Sequence, residues 1–288
     1  MSKASTIKGV FRKVLECFKD VEVNFNNVKL NQNDLMGDKV CIVTGASRGI
    51  GKATVIELLN AGAVVIGLAS NQNNLDKLKK ELNSDRLYTL KCDLSDVSSY
   101  ENTFHKILEM VDDKKITTLI NCAGAKNGND ERFYEFTEED FDYVMSVNLK
   151  APFFWARMVA EYMIENHING HIVNVASIKG FIGEASPYSM SKWGCVGLTK
   201  GLGRLLAGKG IVVNGVAPGG TATEMAPYKE GDSLTHFETP SLRLALPEEI
   251  AKTIVFLASD LANNIVGQVI KRDGGQSNQY SPSQHIRL

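Results

Sequence analysis

Val40-Cys-Ile-Val-Thr44-Gly45-Ala46-Ser47-Arg48-Gly49-Ile50-Gly51 is the stretch whose reading decides the fold of this chain. The run Val40–Thr44 is short and almost wholly apolar, as a strand buried on both faces requires. A helical pattern follows from Ile50 to Asn60. Between the two, Gly45, Gly49 and Gly51 allow a tight turn, because glycine enters backbone conformations closed to other residues. A helix N-terminus behind such a turn offers free backbone N–H groups and a favourable dipole to an anion such as a pyrophosphate. Gly45, Ser47, Arg48, Gly49, Ile50 and Gly51 are therefore candidate binding residues. A glycine cluster alone is a weak signal, and its place between a strand and a helix gives it weight.

Outward from this turn the same alternation continues. Strands are expected at 63–69, 86–91, 116–121, 171–176, 211–216 and 268–271. Helices are expected at 75–82, 97–110, 188–207 and from Pro247 to about Ser259. Thr137-Glu-Glu-Asp140 resembles a capping box opening a long helical region to about Asn166, with two helices or a kink at Pro152. Strands alternating with helices imply right-handed crossovers and a Rossmann-type, doubly wound parallel sheet of about seven strands with helices on both faces. No linker divides residues 37–275, which are read as one α/β domain. Residues 1–36 are read as an extension. It comprises an amphipathic helix carrying Ile7, Val10, Phe11, Val14, Leu15 and Phe18, followed by an Asn- and Asp-rich connector. Residues 276–288 form a tail.

The bulk properties narrow the function. With 32 basic and 33 acidic residues the formal net charge is −1, so no basic excess points to nucleic acid or an anionic membrane. Cys17, Cys41, Cys92, Cys122 and Cys195 are odd in number, widely spaced and contain no Cys-x-x-Cys, which suits a reducing compartment and a cytoplasmic location. The five histidines show no metal-ligand spacing, and no metal is expected. There is neither a signal-peptide pattern nor an apolar run of membrane-spanning length.

The chemical group is expected at Tyr188-Ser-Met-Ser-Lys192, where positions i and i+4 share one face of a helix. A nearby ammonium favours the phenolate by charge attraction, so this tyrosine can give or take a proton. The spacing alone is common by chance. Its weight comes from Ser177, a hydroxyl just past the strand ending at Ala176, at the carboxyl edge where open parallel sheets bind ligands.

Thr44-Gly-x-x-x-Gly-x-Gly51 resembles the signature of the short-chain dehydrogenases/reductases, and further matches follow in that family's order. Asp93 and Leu94 in Cys-Asp-Leu-Ser resemble the segment whose acid contacts adenine. Asn121-Cys-Ala123-Gly124 resembles the family's Asn-Asn-Ala-Gly. Pro218-Gly219 with Thr221 and Thr223 resembles the nicotinamide-contacting segment, and Asp273-Gly-Gly275 the common C-terminal end. The resemblance spans about residues 38–275 and is closest in general character to the 3-oxoacyl-(acyl-carrier-protein) reductases. It implies NAD(P)-dependent interconversion of a ketone and a secondary alcohol. Ser177 would bind the substrate oxygen, Tyr188 would act as acid/base, Lys192 would also hold the cofactor ribose, and Asn148 would anchor a water-mediated proton relay. It further implies a homo-oligomer, a dimer or tetramer, and a substrate lid at 224–246.

Cofactor choice has a physical basis. An acid ending the second strand would bind the ribose hydroxyls and repel a 2′-phosphate. Gly67-Leu-Ala-Ser70-Asn71 has none, and Arg48 adds a cation in the turn. NADP(H) is thus favoured with Ser70 and Asn71 as donors, and NAD(H) stays open. The connection from Ser177 to Tyr188 is eleven residues, about two fewer than in many family members, so the substrate mouth is expected to differ. Sugar, polyol and steroid substrates also stay open, as does a cofactor-binding regulatory or scaffold role.

Overall fold

A computed structural model describes residues 35–126, 133–226, 228–229, 231–237 and 239–278. The amphipathic stripe at Ile7–Phe18 and most of the C-terminal tail lie outside them. The described strands are β1 (Val40–Thr44), β2 (Val64–Ala69), β3 (Leu87–Lys91), β4 (Thr118–Asn121), β5 (Gly170–Val175), β6 (Ile211–Pro218) and β7 (Val269–Arg272). The helices are α1 (Gly49–Asn60), α2 (Gln72–Leu82), α3 (Tyr100–Val111), α4 (Glu138–Met145), α5 (Ala151–Glu165), α6 (Pro187–Leu206) and α7 (Pro247–Ala258). The strands form one parallel sheet in the order β3-β2-β1-β4-β5-β6-β7. Connections therefore diverge from β1 in two directions, which opens a crevice at the carboxyl ends of β1 and β4.

The apolar run of β1 follows from its burial on both sides. Successive side chains alternate, so Val40 and Ile42 join one core with α3 and α5, while Cys41 and Val43 join another with α1 and α7. Trp155 is wholly buried in the first core, with its ring centre 5.5 Å from that of Tyr100 and 6.4 Å from that of Phe104.

Three boundaries differ from the sequence reading, each for a local reason. Helix α2 begins at Gln72 because the Asn71 side chain accepts from Asn74 N–H at 3.1 Å; its first turn carries no apolar residue to signal it. Met36, read as the end of the connector, is fully buried and its N–H donates to the Ala61 carbonyl at 2.8 Å, so the packed unit starts before residue 37. The irregularity expected at Pro152 lies upstream, as a π-helical turn at Ser146–Lys150 between α4 and α5. Proline has no N–H for the carbonyl four residues back, here Asn148, and its ring crowds that carbonyl. The chain widens there instead of breaking. The capping box at Thr137 and Asp140 is present as expected.

Candidate active site

The glycine turn is dictated by close backbone approach. Gly45 has φ +69°, and a Cβ there would stand 2.7 Å from Ala123 Cα. A Cβ on Gly51 would overlap the Gly45 carbonyl oxygen. Thr44 clamps the turn to the end of β4, its hydroxyl accepting from Cys122 N–H at 3.0 Å and Ala123 N–H at 3.2 Å. Helix α1 has no side-chain cap at Arg48 and no acid in its first turn. The N-termini of α2, α4 and α6, in contrast, are capped by Asn71, Thr137 and Ser186. The first N–H groups of α1 are thus left for an external anion, which fits a dinucleotide pyrophosphate. Ser47 and Ile50 flank this turn half-buried.

At the far end of the crevice, β2 delivers Ser70 and Asn71, both exposed. The Asn71 oxygen is occupied with capping α2, which leaves its NH₂ as the donor. Asp93 is exposed, and its carboxylate is held below the usual range by the Ser95 backbone N–H at 2.9 Å and the Ser95 hydroxyl at 2.7 Å. Leu94 is buried in the α3 core, and its carbonyl accepts from the Tyr100 hydroxyl. Arg48, exposed, pairs with Glu224 at 3.3 Å.

Helix α6 positions the chemistry. Ser186 caps it, Pro187 occupies its first turn, and Tyr188 and Lys192 follow one turn apart. The Lys192 ammonium lies 5.6 Å from the Tyr188 ring centre, is 3% exposed as a residue, and donates to the Val175 carbonyl at 2.9 Å. Val175 ends β5, and two residues on lies Ser177, buried, its hydroxyl accepting from Lys179 N–H at 3.2 Å. The π turn presents Asn148, 1% exposed, to the same place. Its amide brackets Ala125 through the carbonyl at 2.9 Å and the N–H at 2.7 Å, and donates to the Ser191 hydroxyl at 3.0 Å. A side chain on Gly124 would come within 3.8 Å of both Asn148 Oδ1 and Lys192 Nζ. Lys192 and Asn148 therefore meet beside Gly124 at the carboxyl edge of the sheet, with the Tyr188 ring next to the Lys192 ammonium and Ser177 two residues past the carbonyl that holds it.

The short connection between Ser177 and Tyr188 is fastened to α6. A Cβ on Gly180 would stand 2.6 Å from the Lys192 carbonyl oxygen, so glycine is needed for that approach. The Ser189 hydroxyl donates to the Lys179 carbonyl at 2.8 Å, Trp193 Nε1 donates to the Ile182 carbonyl at 3.1 Å, and Lys179 pairs with Glu184.

The segment after β6 closes the other side. Gly219 packs against Asp273, and its N–H donates to the Arg272 carbonyl at 3.1 Å. Asp273 accepts from Gly275 N–H at 3.0 Å and Ser277 N–H at 2.8 Å, so Asp273-Gly-Gly275 buttresses Pro218-Gly219. Thr221 is buried and donates to the Gly219 carbonyl at 3.0 Å, while Thr223 reaches Gly49.

Asn121 is buried, and its amide donates to Asn174 Oδ1 at 2.9 Å, while the Asn174 amide donates to the Thr199 hydroxyl at 3.0 Å. The Asn121 side chain thus braces β4, β5 and α6, while the residue lines the same cleft as Thr44, Leu94 and Ala123. Asn174 and Ser191 carry no role in the sequence pattern, and Thr44 and Glu224 enter it only as the first residues of the glycine signature and of the lid. A polar Asn174 inside the apolar run of β5 was the available signal.

The family model of the short chain dehydrogenases matches residues 39–233. The 3-oxoacyl-(acyl-carrier-protein) reductase of Thermotoga maritima is 38% identical over 244 residues, 82% of this chain and 97% of that protein. The corresponding Escherichia coli K12 reductase is 32% identical over 241 residues, 82% of this chain and 96% of its own length. Among solved structures, a 4-hydroxyisoleucine dehydrogenase complexed with NADH superposes with a TM-score of 0.76 at 31% identity, covering 84% of this chain and all of that one. Glycine turn, parallel sheet and these matches agree: the chain belongs to the short-chain dehydrogenase family and is an NAD(P)-dependent oxidoreductase that interconverts ketone and secondary alcohol.

Proposed function

We propose that this enzyme reduces a 3-oxoacyl-type ketone with NADPH, using Tyr188 as the proton donor. The observation that carries the proton chemistry is the Lys192 ammonium, buried and 5.6 Å from the Tyr188 ring, beside Ser177 at the end of β5. A nicotinamide held here would supply the hydride in reduction and accept it in oxidation. The Ser177 hydroxyl donates to the carbonyl oxygen and orients it. The Tyr188 hydroxyl gives its proton to that oxygen as negative charge develops, and the Lys192 charge favours the phenolate left behind. Asn148, fixed by Ala125 and Ser191, anchors the water route that returns the proton to Tyr188.

The cofactor is held by Gly45, Ser47, Arg48, Gly49, Ile50 and Gly51 at the pyrophosphate and by Asp93, Leu94 and Ala123 near the adenosine. Gly124, Lys192, Pro218, Gly219, Thr221 and Thr223 hold the nicotinamide half. Support for NADP(H) is the absence of an acid at Gly67–Asn71 together with Arg48, with Ser70 and Asn71 as further donors. Support for an acyl substrate is the name of the bacterial relatives, the exposed apolar Met225, Phe237, Leu242 and Leu246 in the segment 224–246, and the approach of Met225 to Gly124. A polar alcohol is the second reading, favoured by the Lys179–Glu184 pair in the loop before Tyr188. The catalytic unit covers about residues 36–275 in a reducing, cytoplasmic setting, matching the free thiols of Cys41, Cys92, Cys122 and Cys195. Assembly as a homo-oligomer is the family expectation, and the exposed Tyr143 of α4, Phe153 of α5 and Trp193 of α6 offer apolar surface for it.

The test is turnover of a panel of 3-oxoacyl thioesters, hydroxy acids and polyols with each cofactor, followed at the nicotinamide absorbance band. Tyr188→Phe should lower kcat by about 10²- to 10⁴-fold while leaving the Kd for NADPH within a few-fold. Unchanged turnover removes Tyr188 from the mechanism, and activity confined to polyols with NAD⁺ selects the second reading.

A further inference from the structure

The segment Thr223-Glu224-Met225 crosses from the glycine turn to the chemical end. The Thr223 methyl would lie 3.4 Å from a Cβ on Gly49, and the Met225 methyl 3.7 Å from one on Gly124. Between these two anchor points Glu224 extends its carboxylate to the Arg48 guanidinium at 3.3 Å. Both side chains are largely exposed, at 66% and 70%, and among the described residues neither has another polar partner. The cation that would read a 2′-phosphate is thus held, before any cofactor arrives, by an acid on the opposite wall of the crevice.

We propose that Glu224 is a specificity-determining residue. Its carboxylate competes with the cofactor 2′-phosphate for Arg48 and lowers the preference for NADPH below what Arg48 alone would give. The inference rests on the reading of Arg48 as the 2′-phosphate partner. A phosphate carries more charge than a carboxylate and takes a guanidinium through two parallel hydrogen bonds, so it displaces Glu224. An exposed ion pair is weak, so the penalty is about two- to fivefold in affinity. NADH, which lacks the 2′-phosphate, leaves the Arg48–Glu224 pair in place and bears no such penalty.

The test uses the full-length protein and four ligands: NADPH, NADH, adenosine 2′,5′-bisphosphate and adenosine 5′-monophosphate. Affinities come from nicotinamide fluorescence and calorimetry, for the parent, Glu224→Gln, Arg48→Ala and the double variant. Glu224→Gln should tighten NADPH and the bisphosphate by about two- to fivefold and leave NADH and the monophosphate unchanged. In the Arg48→Ala background the same change should have no effect. Equal tightening of NADPH and NADH would overturn the proposal, since Glu224 would then act on the shared pyrophosphate. So would no tightening at all while Arg48→Ala selectively weakens NADPH; the cofactor reading would then stand without it. Equal weakening of all four ligands by Arg48→Ala removes the cofactor reading and the proposal together.

Discussion

Lys192 is held by a main-chain carbonyl at the tip of a strand, Val175, and this makes its position a property of the sheet as much as of α6. Lys192→Ala should therefore weaken cofactor binding and lower kcat together, whereas Tyr188→Phe should act on kcat alone; Kd and single-turnover rates separate the two. Gly51→Ala is a sharper test of the turn. Its methyl would overlap the Gly45 carbonyl, and the chain cannot yield there without moving the pyrophosphate site. A loss of NADPH affinity of at least about tenfold is expected, read by fluorescence titration. At this scale the sequence discloses residues that announce themselves by spacing, such as Tyr188 and Lys192. It does not disclose partners set by side-chain direction. Asn121 sits at the expected strand end yet turns inward to Asn174, and Glu224 meets Arg48 across 176 positions of chain.

Elements were legible where an apolar pattern and a cap coincide. Helix α6 shows both, with Ser186 and Pro187 ahead of its buried stripe. The start of α2 was not, because its first turn is polar all round and the signal is the single Asn71 cap. The π turn at Ser146–Lys150 follows from Pro152, but a proline marks only that a helix is disturbed and not whether it breaks or widens. What the widening achieves is visible in Asn148, whose buried amide makes three hydrogen bonds across to Ala125 and Ser191. Asn148→Ala removes the side-chain partner of the Ala125 N–H and carbonyl, while the Ser191 hydroxyl keeps its bond to the Tyr188 carbonyl. The substitution should lower unfolding stability by about 1–3 kcal/mol, measured by urea denaturation, and slow turnover in the same variant.

At the scale of the sheet, the two edges of the described domain differ in character. At the carboxyl edge polar groups line the crevice, while at the amino edge Lys39 and His171 are buried beside a partly exposed Asp260. His171, 3% exposed, contacts Asn263 Oδ1 through Nε2 at 3.0 Å, and its buried Nδ1 has no hydrogen-bond partner among the described residues. Burial, aided by nearby Lys39 and opposed by Asp260, pushes its pKa from 6.5 down to about 4. The unfolded chain takes up that proton near 6.5 and the folded one only near 4. This part of the stability is thus complete above about pH 6.5 and is lost as pH falls to about 4, amounting to about 3 kcal/mol. His171→Gln should flatten that part of the profile in urea unfolding at pH 7, 5.5 and 4.5; an unchanged slope would show that His171 does not set it. Doubly wound topology itself was readable because strands buried on both faces leave near-continuous apolar runs. The connection from Ser177 to Tyr188 has a longer reach. It is fastened at Gly180 and Ser189, and within it Ile182 is held by Trp193, Glu184 by Lys179 and Ser186 by the N-terminus of α6. Substitutions at its outward side chains therefore change what the mouth admits, while these anchors hold the proton donor on α6 in place.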